Sequence, residues 1–294
     1  MLFPTIVVKG GPGSGRHPEG KARYNKDTKK WETHDGKELP DHIQSLKIPP
    51  AWNNVKYDED PKAALLVTGK DSAGRTQSVY SEEFMKQSAD AKFERISELD
   101  SKFEDIQKQV ESDFQKKDEN AAVDRLIMNT GIRPGGDSDT GAKKQAYGAT
   151  TLLGSHVVGD NADNVRLQFT GKKGVDLDIP VTDRAIAQDL LDRRESVGPN
   201  GKIFNTDAAS LLEYTKNLDG GGFKTKDFRT LLGTRTAMSA VSSMERPTGD
   251  KEYRKSVMRV AKLVSERLGN TPTVALQSYI SPVVFSDWKM AVAQ

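Results

Sequence analysis

The stretch that decides the fold is residues 165–179, VRLQFTGKKGVDLDI. Apolar and polar residues alternate through VRLQF (165–169) and again through VDLDI (175–179), the period-two pattern of half-buried strands. Thr170-Gly171-Lys172-Lys173-Gly174 joins them as a tight loop. On either side of this hairpin the pattern is helical. Upstream, Phe93, Ile96, Leu99, Phe103, Ile106, Val110 and Phe114 recur three or four apart, which predicts one long amphipathic helix. A second helix is expected at about 121–130, ending at Gly131. Downstream, helices are expected at 183–195, 207–216, 226–243 and 250–268. The major part of the chain, 87–294, therefore reads as a mainly helical domain with an inserted β-hairpin.

Ahead of it the signals shorten. YNKDTKKWETHDGK (24–37) reads as a hairpin with Asp35-Gly36 as its turn dipeptide, and IPPAW (48–52) as a rigid extended connector. ALLVTGKDSAGRTQSVY (64–80) reads as strand, glycine turn, strand. These make a small β-rich domain over 21–86, so the fold class is α+β. Residues 1–20, with the run GGPGSGRHPEG, read as a flexible glycine- and proline-rich arm. Gly10 to Gly15 supplies the frame of a phosphate-binding loop, but Arg16 and His17 follow where Lys and Ser or Thr are needed. Pro18 and Gly20 then oppose the helix such a loop requires, so the arm is read as solvated chain.

Composition narrows the function classes. With 294 residues, 35% apolar and 29% charged, the chain can bury a core and is not a disordered polyelectrolyte. No apolar run approaches membrane-spanning length, and MLFPTIVVKG lacks the basic start and cleavage site of a leader, so no membrane partner is expected. The absence of cysteine excludes disulfides and thiolate chemistry. Histidines 17, 34, 42 and 156 have no metal-ligand spacing, so neither metal nor cofactor is expected, and His156 is read as a packing or backbone contact. A net charge of only +2 means that any surface for a polyanion has to be local.

Near the C-terminus, Thr271-Pro272 signals a helix start, with Thr as N-cap and Pro in the first position. Tyr279 is expected about two turns in, before Ser281-Pro282 ends the helix. A phenol is a poor nucleophile at neutral pH and needs cationic surroundings to act as one. Eight short motifs lie along the chain: IPPAW, DSAGRTQSVY, AKFERI, TGIRPG, YGATTLL, FTGKKG, KDFRT and GNTP followed after six residues by Tyr279. In order and spacing they resemble the poxviral and bacterial branch of the type IB DNA topoisomerases, from about Arg23 to the C-terminus.

The resemblance implies a two-lobed, monomeric clamp on duplex DNA, intracellular and DNA-associated, with viral or phage association included. Tyr279 becomes joined to the 3′-phosphate of one cut strand. Arg133 and Arg229 are the implied stabilisers of the phosphorane, since planar guanidinium forks match its oxygens and stay protonated. Lys172, at the hairpin tip, is the implied general acid for the leaving 5′-oxygen, with Lys173 as its rival. Asn270 stands where some members carry histidine and can donate to a phosphate oxygen without moving a proton. Gln77 and Tyr80 match DNA-contacting positions, with Arg75 and Lys70 as phosphate contacts, while Ser78 replaces a common aromatic. The alternatives are a tyrosine recombinase or integrase, which usually has His-x-x-Arg where this chain has Lys226-Asp227-Phe228-Arg229, and a DNA-binding protein that keeps the fold without activity.

Overall fold

The computed structural model describes residues 7–8, 18–136 and 145–292, the side chains of Val7, Val8 and Lys173 excepted. The Gly10–Gly15 frame and His17 lie outside the described residues. The chain divides into two compact units, Met1–Lys92 and Phe93–Gln294.

In the first unit β1 (Val7–Val8), β2 (Gly20–Asn25), β3 (Lys30–Thr33), β4 (Asn53–Tyr57), β5 (Leu65–Lys70) and β6 (Thr76–Tyr80) form one antiparallel sheet in the order β1-β6-β5-β4-β2-β3. A short helix, α1 (Asp41–Gln44), adds Ile43 to the apolar side, where it joins Trp52, Val55, Tyr57, Val67 and Val79. One expectation needs correcting. The β2–β3 turn is made by residues 26–29, because the Asn25 side chain accepts from the N–H groups of Asp27 and Thr28 and Lys29 takes a positive φ of 55°. Asp35-Gly36 turns the chain only after β3, where Gly36 donates to the Thr33 carbonyl.

The expected long helix is also corrected. Helix α2 (Glu82–Ser101) starts eleven residues earlier, and α3 (Phe103–Gln115) is separated from it at Lys102, with φ −100° and ψ 0°. The apolar repeat runs on unbroken, so periodicity carries no trace of the break. At the break Ser101 bonds back to the Glu98 carbonyl, and Lys102 Nζ bridges Glu98 and Asp219.

Helix α4 (Glu119–Thr130) starts on an Asp118 cap, which accepts from the N–H groups of Asn120 and Ala121, and ends on Gly131 at φ 67°. The second sheet is β7 (Val157–Val158), β8 (Arg166–Thr170) and β9 (Asp176–Pro180), antiparallel throughout. Next come α5 (Arg184–Val197) and α6 (Ala208–Asn217), each capped by an aspartate, Asp183 and Asp207. The chain ends with α7 (Thr225–Ser242), α8 (Asp250–Leu268), α9 (Pro272–Ser278) and α10 (Ser286–Val292).

Two apolar clusters share α7. Phe228 and Leu231 belong to the cluster containing α3 to α6 and the hairpin, whereas Ala237 belongs to the one formed with α8, α9 and α10. The first turn of α7 is fixed by polar groups. Asp227, with a fully buried side chain, accepts two bonds from Arg95 of α2 (2.7 and 3.1 Å) and one from the Lys224 N–H. Thr225 meets Thr215 of α6, whose hydroxyl also donates to the buried carboxyl of Asp124 at 2.9 Å. Among the described residues no helix is long and apolar enough to cross a membrane.

Candidate active site

The site is assembled at one end of α7. Arg229, in its second turn and only 3% exposed, sends its guanidinium to two helix ends, donating to the carbonyls of Gly131 and Leu268. Those are the terminal groups of α4 and α8, which have no partner within their own helices. The left-handed glycine at 131 makes this possible, since a Cβ there would meet Leu232 and Leu268 at 2.8 Å. Arg229 thus ties three helices together and still presents its planar face to Tyr279, whose ring centroid is 4.8 Å away. Its Nε has no protein partner.

Tyr279 sits at the C-cap of α9 (φ −130°, ψ −5°), not inside the helix as expected. The Thr271 cap forms as read, accepting from the Val274 N–H, but seven residues complete the helix before the tyrosine. Its ring is placed by α7 rather than α9. The Thr234 hydroxyl donates to the Tyr279 carbonyl and accepts from the Ser281 N–H, both at 3.2 Å. At Gly233 an added Cβ would lie 2.8 Å from the Tyr279 carbonyl oxygen and 3.1 Å from its Cβ. Neither residue was singled out from sequence. The available signal was a glycine within a helical pattern, which costs about 1 kcal/mol and so marks a close approach.

Arg133 follows Gly131 and is half-buried. Its carbonyl accepts from the Ala149 N–H at 2.8 Å, and the Pro134 carbonyl accepts from Thr150 at 2.8 Å. Gly148 allows this contact, since a Cβ would stand 2.5 Å from Gly135. The YGATTLL segment is thus a brace for TGIRPG. Tyr147 continues the brace to the hairpin through a 2.9 Å bond to the Thr170 carbonyl. His156 packs between Tyr147 and Phe169 and accepts from the Leu153 N–H, a packing and backbone role as read from sequence.

Electrostatically, burial pushes the Tyr279 phenol up, but the charges of Arg229 and Arg133 outweigh it and leave the group below its ordinary 10.0. Burial likewise lowers Arg229, with Tyr279 opposing and Arg133 reinforcing the shift. The guanidinium nonetheless stays protonated near neutrality.

Lys172 opens a 3-10 turn over Lys172–Gly174 at the hairpin tip, and its side chain is exposed. The loop is joined to the Asn270 corner by Leu177 of β9. Leu177 lies so near Gly171 and Gly269 that a Cβ on either would meet it, at 2.7 and 2.3 Å. Gly269 caps α8 at φ 57°, and the Asn270 N–H donates to Ser265. Both polar atoms of the Asn270 amide are buried without a protein partner. Arg133, Arg229 and Tyr279 are therefore in one cluster, with the backbone next to Lys172 and Asn270 meeting through one leucine.

The four residues read as DNA contacts lie in the first unit. Lys70 and Arg75 are exposed, whereas Gln77 and Tyr80 are buried, Tyr80 stacking on Phe84 at 5.1 Å. As it stands, Tyr80 is a packing residue of its strand. Sequence reasoning missed the organiser of this turn, Asp71. Its carboxylate accepts from Arg75 and Gln77 side chains at 2.8 Å and from the N–H groups of Ala73 and Arg75 at 3.0 Å. Among the described residues no three His, Asp or Glu side chains are grouped as metal ligands would be.

Comparison with known proteins then adds two findings. The family described as the catalytic core of eukaryotic DNA topoisomerase I matches residues 81–284. That span includes Arg133, Lys172, Arg229, Asn270 and Tyr279. The chain is also 25% identical over 260 residues to DNA topoisomerase 1B of Acanthamoeba polyphaga mimivirus, covering 82% of this chain and 77% of the viral one.

Proposed function

The chain belongs to the type IB DNA topoisomerases, in the family of the DNA topoisomerase I catalytic core, and from that membership we propose how its residues divide the reaction. Tyr279 Oη attacks a backbone phosphorus of duplex DNA. The Oη–P bond forms, the P–O5′ bond breaks, the phenol proton passes to solvent, and the departing 5′-oxygen takes a proton from Lys172. A 3′-phosphotyrosyl bond then holds one strand end while the other rotates. The same groups acting in reverse reseal the strand. One phosphodiester replaces another, so neither ATP nor a metal ion is called for.

Charge that develops on the non-bridging oxygens is met by Arg133 and Arg229, the latter already fixed by the α4 and α8 ends. The Asn270 amide offers a neutral donor to the same oxygens. In the first unit we assign Lys70 and Arg75 to backbone phosphates. Gln77 and Tyr80 reach DNA only by leaving the bonds to Asp71 and Phe84.

The observation that carries this reading is a single tyrosine whose phenol is held below its ordinary pKa by two arginines, one of them 4.8 Å from its ring. The test is to trap the covalent DNA adduct on a nicked duplex and map it. Adduct on Tyr279, lost in Tyr279→Phe while duplex binding persists, and plasmid relaxation in EDTA without ATP, are the expected results. Relaxation at normal rate by Tyr279→Phe overturns the assignment.

A further inference from the structure

Helix α8 carries a feature that this chemistry does not use. Its apolar face (Val257, Val260, Ala261, Val264, Leu268) packs into the smaller core cluster. Its outer face presents Lys251, Arg254, Lys255, Arg259 and Lys262, all exposed. At 100° per residue these five fall within an arc of about 140° and, at 1.5 Å per residue, extend over about 17 Å. Elsewhere in this unit, basic side chains are commonly paired: Arg95, Arg125, Arg166, Arg193 and Arg235 each hold a carboxylate. Among the described residues, Lys251, Arg254, Lys255 and Arg259 form no ion pair. Lys262 reaches Glu266 only at 3.9 Å. Six basic and three acidic residues give α8 a net +3, more than the +2 of the whole chain. The cations are thus concentrated on one face, and four of the five lie outside ion-pair distance of any carboxylate among the described residues.

We propose that this stripe is a second phosphate-binding surface, for the duplex that flanks the cleavage site on the same DNA molecule. Its position favours that occupant. The C-terminal carbonyl of α8, on Leu268, accepts from Arg229. The stripe therefore starts about 9 Å along the helix axis from the site and ends about 26 Å away. Duplex DNA carries a charge every ~1.7 Å of its axis with both strands counted, so a track of this length runs along about ten phosphates, about five on each strand. The proposal rests on the DNA reading above and adds where the duplex continues.

The test keeps binding separate from chemistry. In a Tyr279→Phe background, Lys251, Arg254, Lys255 and Arg259 are all changed to Gln, and duplex affinity is measured against salt on a duplex of about 40 base pairs and on short ones cut back to about 2 base pairs past the scissile phosphate on one side or the other, which at ~3.4 Å per base pair end beyond and before such a track. On the long duplex the log–log salt slope should fall by about 3 to 4, at about 0.9 per lost phosphate contact, with affinity reduced on the order of tenfold or more. On the short duplex cut back on the stripe's side the two proteins should bind alike. With Tyr279 restored, single-turnover cleavage at saturating enzyme should be unchanged, and the melting temperature should not move.

An unchanged slope on the long duplex overturns the proposal, as would be expected if the stripe serves an acidic protein. Equal loss on both lengths overturns it too, placing these residues at the site itself. A defect confined to supercoiled plasmid overturns it in favour of a second DNA segment. Failure of the function reading looks different: the parent protein then forms no adduct at all.

Discussion

Gly233→Ala separates the placing of Tyr279 from the stability of the fold. The added methyl would stand 2.8 Å from the Tyr279 carbonyl oxygen and 3.1 Å from both Tyr279 Cβ and Leu268 Cδ1. Ordinary contact begins near 3.4 Å, so the tyrosine backbone has to retreat by about 0.6 Å. A misplacement of about 1 Å at a reacting group costs on the order of a hundredfold in rate, so about 0.6 Å corresponds to roughly ten- to thirtyfold. Stability should change much less. Alanine within a helix is favoured over glycine by about 1 kcal/mol, and overpacking costs about 1–3 kcal/mol, leaving a net loss of about 0–2 kcal/mol. Single-turnover adduct formation on a duplex that cannot religate gives the first quantity, and a urea melt the second. A folded Gly233→Ala protein that cleaves within twofold of the parent would refute the reasoning. The ring would then be held by something other than its approach to α7.

Three further outcomes are expected. Lys172→Ala should slow cleavage strongly on ordinary DNA but much less on DNA with a 5′-bridging sulfur, which leaves without a proton; equal slowing on both removes Lys172 as the acid. Ultraviolet titration, taken as the difference from Tyr279→Phe, should show one tyrosine ionising below 10.0, and Arg133→Gln should move that midpoint up because it removes a positive charge that favours the phenolate. Asp124, fully buried with one oxygen unpartnered, has a pKa raised well above 3.8 by that burial, opposed only by the Thr215 hydrogen bond. Its contribution to stability is therefore full below the unfolded pKa and is lost as pH rises through the folded one. Asp124→Asn should melt higher than the parent at pH above neutrality and lose that advantage near pH 3.8; a gain that does not vary with pH counts against a protonated carboxyl.

What sequence reveals here is whatever depends on neighbours along the chain. Asp183 and Asp207 stand where two helix starts are expected, Gly131 announces an end, and the alternation in 165–179 places the hairpin to within a residue. The motifs singled out Arg133, Arg229 and Tyr279, which the fold brings into one cluster. What stays hidden depends on partners far along the chain. Lys102, at the α2–α3 break, pairs with Asp219, 117 positions away, and Asp227 holds an arginine 132 positions away. The same limit explains Tyr279, since a proline-capped start says where α9 begins but not that it stops after seven residues. It also explains Gln77 and Tyr80, whose strand pattern cannot tell a surface-facing side chain from one engaged by Asp71 or Phe84.

A single rod, α7, bears the guanidinium to which we assign the phosphate oxygens and, about one turn further along, the glycine and hydroxyl against which the tyrosine backbone rests. If a DNA end hangs from that tyrosine while its partner swivels, the torque reaches the protein through the rod that also sets the anion cradle. Hook and cradle are then dragged together and not apart. When the loose end swings back, it meets the same alignment it left, however many revolutions have passed.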